Sequence, residues 1–117
     1  MEEFKIKQKI YDMILYGSPA LAQFPKAEKY VLASKIRGSM YRMFELAVVI
    51  EKKYYKKTTV QELDIELDIV RNFIRMAADA KLYPNQAPCL PFKKYEFWAK
   101  LLDEIGRMLG GYAKTIK

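Results

Sequence analysis

TTVQELDIELDIVRNFIRMAADAKL, Thr58 to Leu82, is the stretch on which the fold turns. Leu63, Leu67, Val70, Ile74, Ala77 and Ala78 recur at steps of three and four, the spacing that lines one face of an amphipathic helix. Thr59 with Glu62 three residues later sets up a capping box. Glu62, Asp64, Glu66 and Asp68 crowd the first turns and Arg71, Arg75 and Lys81 follow, in the order the helix dipole favours. Spacing, cap and charge order all predict one long helix.

The flanking sequence repeats the pattern. On the C-terminal side, YPNQAPCLP (83–91) carries three prolines and reads as a loop. A fourth helix then starts near Pro91 or Phe92 and turns Tyr95, Trp98, Leu101, Leu102, Ile105, Leu109 and Tyr112 inward. On the N-terminal side, Phe4, Ile6, Ile10, Ile14, Leu15, Leu21 and Ala22 make a first helix from Phe4 to Phe24. Gly17, Ser18 and Pro19 predict a kink or short break near Tyr16, and Pro25 a stop. Pro25 suits the first turn of a second helix, Lys26 to Tyr55, whose rows bring together Tyr30, Ala33, Arg37, Met40, Phe44, Ala47, Val48 and Tyr54. With no strand alternation and no hairpin dipeptide, the expected fold is all-α, an up-down-up-down four-helix bundle in a single domain over residues 1–117. Tyr30, Tyr41, Phe44, Phe73, Tyr95, Phe97, Trp98 and Tyr112 are expected mostly in its core.

Composition narrows the function. There is no histidine and one cysteine, Cys89, which removes an internal disulfide, an ordinary zinc cluster and a Cys/His nucleophile pair. No convergent nucleophile and base can be named, so the chain is read as a non-enzyme without cofactor, metal or small-molecule substrate. Alternating acids at the start of the third helix spread around it rather than converging on an ion. No run is apolar enough to span a membrane, and MEEFKIKQKIY lacks the layout of a secretory signal, so cytoplasmic residence is the expectation.

The net charge is +7. Residues 25–57 carry it, nine cations against three anions, and the excess on one element is the footprint of phosphate contacts. Lys52, Lys53, Lys56 and Lys57 surround Tyr54 and Tyr55, mixing cations with stacking rings as single-stranded nucleic-acid sites do. A lysine-rich helix end is the plain alternative.

EIGRMLGG (104–111) places three of five glycines within helical sequence. Gly106 and Gly110 stand four apart on one face, where small residues let a second backbone approach, and Arg107 between them is a natural subunit or partner contact. The plain alternative is that Gly110 or Gly111 ends the helix as a left-handed cap.

YEFWAKLLDEIGRMLGGYAK (95–114), FPKAEKYVLASKIR (24–37) and ELDIELDIVRNFIRMAADAKL (62–82) together resemble the accessory variability determinant (Avd) family of diversity-generating retroelements. The resemblance implies a homopentameric, barrel-like assembly of basic bundles. Such an assembly binds the element's reverse transcriptase and its RNA/DNA template and supports mutagenic cDNA synthesis without catalysis of its own. By the same resemblance Arg71 and Arg75 match a basic pair on the face that meets transcriptase or RNA, with pairing to Asp68 or Asp79 as the alternative, and Arg37 on the cation-rich second helix is grouped with them. FPKAEKYVLASKIR also resembles the bundle proteins of ribosomal-RNA intervening sequences. That likeness leaves a second reading, a self-assembling interaction scaffold with no nucleic-acid role.

Overall fold

The computed structural model describes residues 2–116, with side chains from Lys5 onward. The Phe4 side chain, part of the expected first stripe, therefore lies outside the described ones. Among the described residues there is no strand, and four long helices carry the fold: α1 (Glu2–Ala22), α3 (Leu32–Lys52), α4 (Lys57–Ala78) and α5 (Phe92–Ala113), with a four-residue α2 (Lys26–Lys29) between the first two. Helix α1 packs on α3 and α5, and α4 packs on the same two, closing a ring. Lys7 near the start of α1 pairs with Glu51 near the end of α3, and Lys9 pairs with Glu104 late in α5, so both neighbours run antiparallel to α1. This is the expected up-down-up-down bundle, 50 × 22 × 20 Å. One core fills it, with Ile10, Met13, Ile36, Met40, Met43, Leu63, Leu67, Ile74, Trp98 and Leu102 all buried.

Several boundaries differ from the sequence reading. Helix α1 runs unbroken through Pro19, so the expected break is absent. Proline removes the bond to the carbonyl of Leu15, four residues back, but Leu15 and Pro19 are both exposed, so the lost bond falls on the solvent side of the helix rather than in the core. Leu15 and Ala22 consequently point to solvent, while Met13 and Ala20 join Ile6, Ile10 and Leu21 in the core. The second helix is two. Pro25 is the N-cap of α2 rather than its first residue, the chain breaks at Tyr30 and Val31 (φ −118°, ψ −86°), and α3 ends at Lys52 instead of Tyr55. The break has a packing purpose: α2 buries nothing, whereas Leu32, Ala33 and Ile36 just beyond it are all buried. Of the expected row, Ala33, Met40 and Ala47 are buried. Tyr30 and Tyr54 stand outside the helix in solvent.

Helix α4 starts two residues before Thr59, so no capping box forms. Thr59 is buried inside the helix and its hydroxyl accepts from Lys53 Nζ at 3.2 Å. The helix ends at Ala78, short of Leu82. The loop is partly helical after all, with 3₁₀ turns at Ala80–Leu82 and Pro84–Gln86, and it delivers a buried Cys89 and Leu90 to the core. Burial pushes the Cys89 thiol up. In α5, Gly110 and Gly111 lie within the helix and the cap is Lys114, so neither glycine acts as a left-handed terminator. Trp98 and Tyr112 are core, and Phe44, Phe73 and Tyr95 pack against it. Tyr30, Tyr41 and Phe97 are exposed instead.

Candidate nucleic-acid interface

The turn from α3 to α4 concentrates positive charge by its own geometry. Lys52 ends α3, Lys53 turns the chain in extended conformation, Lys56 is the N-cap of α4 and Lys57 its first residue. Lysine at the end of α3 complements that helix's dipole, but Lys56 and Lys57 sit at the positive end of α4. That end has no side-chain cap and no acid in its first turn. Its free N–H groups and the adjacent ammonium groups therefore add rather than cancel, which favours an anion there.

Aromatic surface adjoins this charge. Tyr54 and Tyr55 are 86% and 78% exposed and meet edge to face, their ring centroids 4.8 Å apart. With Lys56, Tyr112 and Ile116 they line a cleft of about 320 Å³ at the end of the bundle. Exposed rings cost the isolated protomer burial that it does not recover, while offering π faces to bases. Tyr112 and Ile116 are the members of this site that sequence reading missed. Their place follows from the antiparallel packing of α5, which returns its C-terminus to the α3–α4 turn.

The other expected site residues lie elsewhere. Arg37 is half-buried on α3, in a shallow cleft with Leu21, Ala22, Lys29, Tyr30 and Ser34, fifteen residues or about 22 Å of helix from Lys52. Arg71 is half-buried between Asp68 (3.8 Å) and Asp103 of α5 (3.4 Å). The guanidinium fits there because residue 106 is glycine: a Cβ on Gly106 would stand 2.6 Å from Arg71 Nη2. Gly106 thus has a use inside the protomer, with α4 as the element that approaches it. Arg75 is exposed one turn on. Arg107 and Gly110 face solvent on α5, and a Cβ on Gly110 would touch nothing. Among the described residues no three His, Cys, Asp or Glu side chains converge as metal ligands, and no helix is long and apolar enough to cross a membrane.

A second surface feature lies on α4. Away from its buried stripe, the exposed Ile65 and Met76 and the half-buried Ile69 and Phe73 form an apolar row beside Asp64 and Asp68, around a groove of about 490 Å³. Ile65 is 61% exposed.

The family model described as bAvd-like matches residues 4–116 of the chain. No curated protein matches it.

Proposed function

From the premise that the chain belongs to the bAvd-like family and plays an accessory role of the Avd type, we propose that it binds the reverse transcriptase and the template RNA of a diversity-generating retroelement and supports mutagenic cDNA synthesis, as a homopentamer and without chemistry of its own. The observation that carries the nucleic-acid half is the α3–α4 turn, where Lys52, Lys53, Lys56 and Lys57 surround an uncapped helix start beside the exposed Tyr54 and Tyr55. Phosphate is drawn to the charge and an unpaired base stacks on a ring.

Binding of polyuridylate, followed by fluorescence anisotropy, tests this directly. Tyr54→Ala/Tyr55→Ala leaves net charge and core untouched, and stacking at about 1–3 kcal/mol per base makes the expected loss at least about fivefold. Unchanged affinity removes the site. Co-purification with a retroelement reverse transcriptase tests the protein half, and failure of both RNA and transcriptase to bind overturns the proposal. The second reading, a scaffold without nucleic-acid affinity, draws its support from the apolar row on α4. Self-association of a protein that ignores RNA at every salt concentration would favour it.

A further inference from the structure

Lys93, Lys100, Arg107 and Lys114 recur at intervals of seven along the last helix. Residues seven apart drift by only about 20° around an α-helix, so the four make a nearly straight line. They are about 10.5 Å apart and together run about 31 Å. All four are exposed, and among the described residues none is in an ion pair. The sequence hides this excess, because α5 also contains Glu96, Asp103 and Glu104. The fold turns two of those acids aside: Asp103 faces Arg71 on α4, and Glu104 faces Lys9 on α1. Only Glu96 stays unengaged beside the row.

Two glycines flank the row between Arg107 and Lys114. Gly110 and Gly111 each cost the helix on the order of 1 kcal/mol, yet neither caps it nor makes room for any neighbour in the protomer. What they leave is bare backbone on either side of the cations, open to close approach from outside. The row ends at the same end of the bundle as the cleft already described, which Tyr112 and Ile116, two residues before and after Lys114, line from another face of the helix.

We infer that the outer face of α5 is a track for the phosphate backbone of single-stranded RNA, leading along Lys93, Lys100, Arg107 and Lys114 into the Tyr54–Tyr55 cleft. This rests on the RNA-binding reading above and extends it by a whole helix. A duplex would keep its bases from the tyrosines, and an acidic polypeptide would have no use for them, so a single strand fits the charge line and the rings together.

The experiment is the salt dependence of polyuridylate binding to the intact chain, for the wild type, for Lys100→Gln/Arg107→Gln/Lys114→Gln, and for Lys26→Gln/Lys29→Gln/Lys35→Gln, which removes the same charge from exposed positions on α2 and α3. Each phosphate contact contributes about 0.7 to the slope of log K against log salt for a single strand, so the α5 variant should lower the slope by about 2 and the control by much less. Circular dichroism checks that both variants keep the bundle. Equal losses in the two variants would reduce the track to bulk charge and overturn it. An α5 variant that keeps RNA binding but loses affinity for polyglutamate would overturn it in favour of an acidic protein partner. If Tyr54→Ala/Tyr55→Ala weakens binding and the α5 variant does not, the track falls and the cleft stands. A wild type that binds no RNA at low salt removes both.

Discussion

Gly17 is the residue where the least side chain does the most. A Cβ there would stand 2.6 Å from Trp98 Cζ2 and 3.0 Å from Met40 Sδ, and Trp98 is the largest fully buried side chain of the core. The indole ring is rigid and enclosed, so it cannot yield as a flexible tip would. Gly17→Ala should therefore destabilise the bundle by roughly 1–3 kcal/mol despite alanine's better helix propensity. Gly38 is the control, since nothing lies within 4 Å of its missing Cβ and Gly38→Ala should stabilise by about 0.5–1 kcal/mol. Urea denaturation of the two variants checks the pair, and a stabilising Gly17→Ala would contradict the packing. Gly106 falls between them, because its clash is with the mobile end of Arg71, which can swing away at the expense of its contact with Asp103. Of these three glycines in helical sequence, Gly17 makes room for Trp98 and Gly106 for Arg71, while no neighbour requires Gly38, and none of the three ends a helix.

At the scale of elements, Pro19 makes the sharpest case. Helix α1 continues through it because the carbonyl it strands is on the wet side, so the missing bond is a cost borne without a break. Pro19→Ala restores that bond and should raise stability by roughly 1–3 kcal/mol, less than proline's full penalty because alanine frees the unfolded chain. A thermal melt reads it, and a lower midpoint would mean that the proline shapes the packing of α1. The same physics explains how much of the fold was legible. The stripes of α4 and α5 could be read off because burial follows 3.6-residue spacing: Leu63, Leu67, Val70, Ile74 and Ala77 are all buried, as are Trp98, Leu102, Ile105, Leu109 and Tyr112. Helix ends were harder, because they answer to tertiary packing. Thr59 has the right neighbour for a capping box, but its burial and the Lys53 hydrogen bond place it inside the helix instead. The lysine and tyrosine cluster stood out in sequence as a mixture of residue types. The cleft it borders depends on Tyr112 and Ile116, which only the return of α5 brings to it.

The whole molecule sets faces of opposite character on neighbouring helices. Outward α4 is apolar with an acidic edge, and outward α5 is cationic. A ring of identical protomers needs a heterologous contact, in which one patch meets a different patch, and the apolar row of α4, led by the exposed Ile65 and Met76, supplies one half of it. Sequence reading placed the subunit contact at Gly106, Arg107 and Gly110 instead. The two locations make separable predictions. Ile65→Glu/Met76→Glu puts charge on exposed positions, so the protomer should stay folded while any assembly built on α4 falls to protomer mass by light scattering. Arg107→Glu should leave that mass unchanged and weaken only RNA. Salt separates them again: a contact resting on apolar burial persists at high ionic strength, where exposed charge pairs are screened within about 10 Å or less. An assembly that survives Ile65→Glu/Met76→Glu but dissolves with Arg107→Glu or in salt would move the subunit contact to α5, and would leave the RNA track covered in the assembled protein.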